Sequence, residues 1–233
     1  MKRAMWIVAM IPFICNCIML IFLPDTIPTH YDINGNTDGW GNKAEGLIYP
    51  IVILIVTLLM QLFMLYFEKK QKKSNSEKEK IEAKANLKFV SAVGILQALI
   101  MCVMNFVFMY SAFAETSEKT VKPNLDFTKI LCVLIALSCI VMGNFLTKTK
   151  KNGIAGVRTA WSLYNEITWR KSNLFGAVGL IVVGFLTIIA SVFADGILCV
   201  FIMVLLMFTD VIATCIYSKK VYDIEIKGKG KVL

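Results

Sequence analysis

The sequence predicts an all-α integral membrane protein with six transmembrane helices and with both termini in the cytoplasm. Of its 233 residues, 57% are hydrophobic, more than the roughly 45–50% that is usual in soluble domains. The charged residues are confined to short connections between long apolar stretches, which is typical of helices that face lipid. Lys and Arg are concentrated in every second connection, as expected for the cytoplasmic side of a membrane protein.

Six apolar stretches approach or exceed the roughly 20 residues that a helix needs to cross the hydrocarbon. The predicted spans cover residues 4–23, 46–67, 89–113, 127–146, 175–193 and 197–217. The first stretch resembles a signal peptide because two cations precede an apolar run. It lacks an obvious small-residue cleavage site, so we expect it to remain as a helix.

The distribution of cations predicts the orientation. The N-terminus and the segments 69–88, 148–171 and 219–231 hold 21 of the 25 Lys and Arg residues. The remaining four are Lys43, Lys119, Lys122 and Lys129. This alternation predicts an even number of spans with both ends inside. The net charge of +9 is then explained by the inner leaflet, and we expect no nucleic-acid partner.

The chain divides into modules along these boundaries. The basic loop 68–88 is interpreted as a signal of membrane orientation whose second half can extend the third helix as a solvated helix end. Alternatively, it is a docking surface for anionic lipids or a cytosolic protein. The predicted modules are an N-terminal two-helix module (1–67) with a structured outer loop (24–45), a basic cytoplasmic loop (68–88), a four-helix region (89–217) with an inner loop (147–174), and a basic cytoplasmic tail (218–233).

The outer loop is dense in turn-forming residues and contains the only histidine. Its prolines end the first helix, and its Asn-Gly and Asp-Gly pairs favour tight turns. An ordered loop that folds back near the membrane is therefore expected, either as a ligand-binding surface or as a cap whose Tyr31 and Trp40 anchor at the headgroups. A metal site is not predicted, because one imidazole among carboxylates is a weak signal. The candidate ligand-binding residues are His30, Asp32, Asn34, Asp38, Trp40 and Lys43.

The inner loop mixes turn residues with Arg and Trp. Asn165 is a suitable N-cap and Glu166 suits a first turn, so a helix is predicted to begin near Glu166. Trp169, Asn173 and Gly176 would share one face of it, which could pack against another helix. Arg158 could bind a carboxylate or phosphate, or the loop could serve only as an interfacial anchor. The candidate residues are Asn144, Asn152, Gly156, Arg158, Thr159, Trp161, Asn165 and Trp169.

Few polar residues enter the predicted spans. Asp210 lies within the last span, where a carboxylate is a candidate for proton relay or ion coordination. Bonding to Thr209, Thr214 or a cation of the inner loop is the structural alternative. Five amides are expected to form hydrogen bonds between helices. They are Asn16, Gln61, Gln97, Asn105 and Asn144.

The seven cysteines all lie within apolar stretches, where cysteine usually behaves as a small buried hydrophobe. The sequence shows no nucleophile with a matching base and no metal-ligand spacing such as HExxH. No enzymatic activity and no cofactor are therefore predicted.

Together, the two loops resemble the SdpI family of bacterial membrane immunity proteins, including the module often found ahead of the SdpI region. Ala160 and Asn173 depart from this pattern, which usually has proline and histidine there. In the outer loop the matching positions are Pro24, Ile27, Pro28, His30, Gly35, Asp38, Gly39 and Lys43. In the inner segment they are Gly143, Asn144, Asn152, Gly156, Arg158, Thr159, Trp161, Leu163, Trp169, Lys171 and Gly176.

This resemblance implies a multi-pass protein of the bacterial cytoplasmic membrane that protects the cell against a secreted peptide toxin. The outer loop would meet the peptide, and the inner loop would position the helices or signal to a cytosolic regulator. A proton- or ion-coupled transporter of a peptide or lipid, using Asp210, is the alternative function.

Overall fold

A computed structural model of the chain describes residues 2–32, 36–117, 125–147, 151–152 and 154–229. Long helices dominate it, so the predicted all-α class is confirmed. A short 3₁₀ helix, Lys43–Leu47, precedes the second long helix. The long helices are α1 (Lys2–Met19), α2 (Ile48–Lys73), α3 (Glu77–Ser117), α4 (Phe127–Leu146), α5 (Glu166–Phe193) and α6 (Gly196–Lys229).

Six helices of the described part are long and apolar enough to cross a membrane, which confirms the predicted number of spans. Their outward surfaces carry large apolar side chains, such as Ile14 (51% exposed), Phe185 (55%) and Phe201 (67%). Apolar surface of this extent is explained by contact with lipid. The side of the membrane on which each end lies remains a prediction.

The basic segment 68–88 is mostly helical. Its second half extends α3, as the sequence suggested, whereas its first half, which was expected to be a loop, extends α2. Helix α2 continues to Lys73 and α3 already begins at Glu77. Lysines in the last turn of α2 and Glu77 and Glu79 in the first turn of α3 stabilise these helix ends through the helix dipole. Likewise, α6 continues through most of the predicted tail, to Lys229.

A β-hairpin lies between α1 and α2, where the sequence predicted an ordered loop without naming strands. Strands β1 (Thr26–Tyr31) and β2 (Thr37–Asn42) pair antiparallel, with an irregular register around His30. The β-branched and aromatic residues of the two segments favour extended structure. Gly39 is required at its position, since a Cβ there would lie 2.9 Å from the Cβ of His30.

The chain forms two compact units. The first contains residues 1–65, 90–131 and 195–197, and the second contains residues 66–89, 132–194 and 198–233. Most of α3 therefore belongs to the same unit as α1 and the hairpin, whereas α5 and most of α6 form the second. The module boundaries predicted from the sequence remain predictions.

Polar and hydrophobic contacts hold the hairpin to the helices of the first unit. Asn16 of α1 and Asn105 of α3 exchange side-chain hydrogen bonds of 2.9 and 3.1 Å, and Asn16 also donates to the carbonyl oxygen of Gly46. Both asparagines are buried, as is Ile27 of β1, which packs in a cluster with Met109 of α3. The predicted interhelical role of Asn16 and Asn105 is thus confirmed, as is that of Gln61, which accepts from the Trp6 indole.

Small residues bring the helices of the second unit close together. A Cβ at Gly143 of α4 would lie 2.6 Å from the carbonyl oxygen of Ala177 in α5, and a Cβ at Gly176 of α5 would lie 3.1 Å from the methyl of Thr214 in α6. Such close approach between helices is typical of packing in membranes, where van der Waals contact replaces the hydrophobic effect. Two amides behave differently from expectation: Gln97 donates to Met101 of its own helix, and Asn144 is exposed.

Candidate functional site

The predicted ligand-binding residues of the outer loop lie on the hairpin, where most of them contact one another. His30 Nδ1 lies 2.5 Å from Asp38 Oδ1 across the two strands, and Lys43 lies 3.0 Å from Asp25. Trp40 of β2 is 55% exposed. The hairpin therefore presents one free aromatic ring beside two exposed ion pairs.

Asp32 also stabilises the end of the hairpin. Its carboxylate accepts hydrogen bonds from the backbone and side-chain amides of Asn36, and its own N–H donates to the carbonyl oxygen of Asn36. These bonds bring the two strands together at the hairpin end. Asn34, which the sequence analysis also proposed, lies outside the described residues.

A cavity of about 410 Å³ lies beside β1. Four aromatic rings from different segments line it: Tyr31 of β1, Tyr49 of α2, Phe108 of α3 and Phe127 of α4. The Tyr31 and Phe127 centroids are 4.9 Å apart, and Phe108 lies 5.2 Å from Phe127 and 5.7 Å from Tyr49. The cavity is thus mainly apolar, with carboxylates of Asp32 and Glu45 at its lining.

Tyr31 is the most constrained residue of this cavity. Its hydroxyl is buried and has no hydrogen-bond partner within the described part of the chain. Burial raises the pKa of the phenol, and the nearby negative charge of Glu115 raises it further. Glu115 is held in place by the hydroxyl of Thr37, which donates to it at 2.5 Å. The phenol is therefore neutral and remains a hydrogen-bond donor.

The inner loop is folded by buried hydrogen bonds between side chains and backbone. Asn152 Oδ1 accepts from the N–H groups of Ile154 and Ala155, at 2.9 and 2.7 Å. The buried Ser162 donates to the carbonyl oxygen of Val157 and accepts from the N–H of Thr159. The local turn signals of the sequence therefore produce a compact loop.

Asn173 fastens this loop to α5. Its Oδ1 accepts from the N–H of Val157 at 2.8 Å, and its Nδ2 donates to the carbonyl oxygen of Trp169. Gly156 lies directly against Asn173 and the Trp169 ring, with a φ of 114° that favours glycine. Trp169 and Asn173 on the predicted face thus pack against the loop, whereas Gly176 of the same face packs against Thr214 of α6, as expected for packing against another helix.

The cap at Asn165 confirms the predicted start of α5. Its side chain accepts from the N–H of Thr168, and the Thr168 hydroxyl accepts from the N–H of Asn165. The C-terminal part of α6 contacts the same region, since the Lys219 ammonium lies 5.9 Å from the Trp161 ring centroid and Glu225 lies 4.0 Å from Lys171. The loop is therefore held between the start of α5 and the end of α6.

Asp210 lies on α6 against Gly179 of α5. It lines a cavity of about 530 Å³ with Arg158 and Thr214, and the Thr214 hydroxyl lies 3.5 Å from its Oδ1. Arg158 is exposed and forms no ion pair among those found in the described residues. Asp210 and Arg158, separate candidates in the sequence, thus line one cavity.

The sequence analysis missed the aromatic residues of the hairpin cavity. Tyr49, Phe108 and Phe127 come from three helices, and in the sequence each looks like an ordinary apolar residue of a span. A weak signal was present, because all three lie near the hairpin-side ends of their helices. Only the packing of these ends reveals that they meet.

Two protein-family models match separate parts of the chain, and each part contains one of the two loops. Residues 148–218 match the SdpI/YfhL protein family. This part of the chain is therefore similar to the SdpI/YfhL family. Residues 7–55 match a domain of unknown function, DUF1648, so the predicted resemblance, including the N-terminal module, is confirmed. The residues that match the SdpI/YfhL family include the inner loop from residue 148 onward, all of α5 and most of α6, and those that match DUF1648 include most of α1 and the hairpin.

A curated relative extends this similarity over most of the chain. The chain is 24% identical over 209 residues to "Immunity protein SdpI" of Bacillus subtilis (strain 168), which covers 89% of each of the two chains. No solved structure matches the chain. Six apolar helices and the SdpI region identify a multi-pass protein of the cytoplasmic membrane. Within the described residues, no group of three or more His, Cys, Asp or Glu could hold a metal ion.

Proposed function

We propose that this protein confers immunity against a secreted peptide toxin and that it binds the toxin at the hairpin. The similarity to the immunity protein of B. subtilis carries the proposal, because it extends over 89% of both chains and includes both loops. The resemblance supports a binding role rather than catalysis. Accordingly, we assign the protein no enzymatic activity.

The hairpin is the better of the two loops for recognising an external peptide. Trp40 is exposed, and His30 and Asp38 form an exposed pair beside it. Exposed aromatic side chains and charged groups can change partners at little cost, since surface ion pairs contribute only about 0–1 kcal/mol. The surface can therefore exchange its internal contacts for contacts with a toxin.

The inner loop is proposed to relay toxin binding to a cytosolic regulator. Its support is that Asn173 of α5 accepts a hydrogen bond from the N–H of Val157 in the loop, and that Asn165 at the end of the loop caps α5. A displacement of α5 would therefore move the loop as a unit. The basic helical extensions, which include Lys219 and Lys220 on α6, would contact anionic lipids beside it.

Survival of toxin-sensitive cells that express the protein tests the proposal. The wild type should protect, and Asp38→Ala and Trp40→Ala should each reduce protection at equal protein level. Arg158→Ala should alter the response of the cytosolic regulator. Lys80→Ala, an exposed change on the basic segment, is the control. A wild type that fails to protect contradicts immunity itself, whereas full protection by the hairpin variants contradicts only the binding site.

The proposed orientation places the hairpin outside the cell and the inner loop inside. It can be tested by placing single cysteines at Thr37 on β2 and at Ser76 between α2 and α3 in a cysteine-free variant. A membrane-impermeant maleimide should label Thr37→Cys in intact cells and Ser76→Cys only after lysis. The reverse pattern would invert the orientation.

A second candidate function, a proton- or ion-coupled transporter of a peptide or lipid, is favoured by one observation. Asp210 lines an intramembrane cavity together with Arg158, and ionisable groups in such places usually serve transport or coupling. Asp210→Asn preserves the shape of the side chain, so it should abolish coupled transport at unchanged abundance. If Asp210→Asn cells survive the toxin as well as the wild type, the transporter loses its support.

A further inference from the structure

The hairpin cavity lies along one edge of the two-stranded sheet. Its lining includes all six consecutive residues from Ile27 to Asp32, whereas no residue of β2 lines it. A cavity that faced only one side of a strand would be lined by alternate residues, because successive side chains point to opposite faces. A continuous run indicates that the cavity lies beside the strand edge that β2 leaves unpaired.

The backbone pairing of β1 shows which groups face this edge. The carbonyl oxygen of Asp25 accepts from the N–H of Lys43 at 2.9 Å, and Thr26 is paired opposite Asn42. In an antiparallel ladder, alternate residues direct their backbone groups to the partner strand. Thr26 and Pro28 therefore direct theirs away from β2. Proline lacks an N–H and is tolerated at such an edge, so Pro28 contributes only an acceptor.

The lining of the cavity specifies the chemistry of an occupant. Its volume of about 410 Å³ falls within the range of ligand pockets, and its aromatic walls favour an apolar side chain. The neutral, unpartnered hydroxyl of Tyr31 offers a hydrogen-bond donor beside the strand edge. The carboxylates of Asp32 and Glu45 favour a neighbouring cation.

The charge around the hairpin agrees with this preference. We define the hairpin face as the described residues 24–32, 36–45, 114–117, 125–129 and 195–196, which connect the helices at the hairpin end of the first unit. These segments hold seven Asp and Glu residues against two Lys residues. An excess of negative charge raises the association rate of a cationic partner and disfavours an anionic one.

We propose that a cationic peptide in an extended conformation binds along β1 as a third strand and places an apolar side chain in the aromatic cavity. This proposal rests on the proposed function, since it names the chemistry of the peptide that the hairpin recognises. Strand addition to a free sheet edge derives its affinity from main-chain hydrogen bonds and its specificity from side-chain pockets.

Synthetic peptides test the strand addition directly. The probe is the blocked peptide Lys-Val-Lys-Phe-Lys-Val-Lys, added to the full chain in nanodiscs of neutral phosphatidylcholine, with binding measured by fluorescence anisotropy. Two derivatives carry N-methyl groups either on the Val and Phe amides or on the inner Lys amides. Only one of these two amide sets can face β1. We expect one derivative to bind about tenfold or more weakly, as two or more lost hydrogen bonds imply, and the other to bind like the probe.

Two further binding measurements test the charge of the peptide and the role of the Tyr31 hydroxyl. A peptide with Glu in place of each Lys should not bind detectably. Tyr31→Phe keeps the ring but removes the hydroxyl, so it should weaken probe binding about 2- to 12-fold, which corresponds to one hydrogen bond. Tyr66→Phe, at an exposed tyrosine of α2, is the matched control and should bind like the wild type.

The outcomes separate this proposal from the proposed function. Equal binding by both N-methylated derivatives, or equal binding of the Glu peptide, overturns the strand addition. So does a purified dimer that Tyr31→Phe dissociates, because the strand edge would then belong to a second copy of the chain. In each of these cases, continued protection of cells by the wild type and loss of protection in Trp40→Ala would leave immunity intact.

Discussion

The hairpin and the inner loop are both compact connections, but they are held by different kinds of contact. The hairpin is closed by exposed pairs, His30 with Asp38 and Lys43 with Asp25. The inner loop is closed by hydrogen bonds to buried side chains, above all the bond that the N–H of Val157 donates to Asn173 Oδ1. Exposed pairs exchange partners readily, whereas a buried polar group that loses its partner is costly. This difference suits the hairpin to recognition and the inner loop to a fixed coupling with its helices.

The largest loss of folding stability is expected from a substitution at Gly156 of the inner loop. Gly156→Ala would add a Cβ against Asn173 and 2.9 Å from the Trp169 ring, at a φ of 114°. Strain and overlap together should lower the free energy of unfolding by about 3 kcal/mol or more. Thermal unfolding in detergent measures it. Gly46→Ala is the matched control, because its Cβ would meet only ordinary contacts at 3.4 Å and beyond. Similar stability of the two variants would contradict the assigned fit of the loop.

A smaller but still large loss of stability is expected when the hydrogen bonds between the inner loop and α5 are removed. Asn173→Ala removes the acceptor of the Val157 N–H and the donor to Trp169. A buried group left without its partner costs about 1–3 kcal/mol. Asn144→Ala should change stability by less than about 0.5 kcal/mol, since Asn144 is exposed. An equal loss of stability in Asn173→Ala and Asn144→Ala would contradict the role assigned to Asn173.

The base of the hairpin provides an intermediate case. Asn16 and Asn105 are buried and bonded to each other, so either single change to Leu leaves an amide without its partner. Hydrogen bonds between membrane helices average about 0.6 kcal/mol and reach about 1.7 kcal/mol. We expect the double variant to lose less stability than the sum of the two single variants, in a double-mutant cycle measured by denaturation in mixed micelles. Strict additivity would show that the pair contributes no coupling.

The parts that sequence predicted well depend on local or compositional signals. The six spans follow from hydropathy, and the start of α5 follows from the Asn165 cap and Glu166. The strands of the hairpin were missed because Pro28 interrupts β1, turn-forming Asp, Gly and Asn dominate β2, and only β2 shows a period-2 burial pattern, over six residues. The extension of α2 to Lys73 was missed because its lysines also fit a solvated loop.

The candidate sites were harder to predict because they depend on tertiary packing. Sequence named His30 and Asp38 but could not show that they pair with each other. It placed Asn173 on a helix-packing face, and its actual partner, Val157, lies 16 positions earlier in a loop. The aromatic cavity joins residues as distant as Tyr31 and Phe127, and no local pattern encodes such a meeting.

The smallest effect on stability is expected at the exposed hairpin pair, where the contrast between the two loops is sharpest. The side chains of His30 and Asp38 are 72% and 49% exposed, so a double-mutant cycle with alanine should give a coupling of about 0.2–1 kcal/mol. Protection against the toxin should nevertheless fall more in Asp38→Ala than the small loss of stability explains. If instead the coupling reaches the size expected for Asn173, the hairpin is as rigidly fastened as the inner loop, and its suitability for exchanging partners is lost.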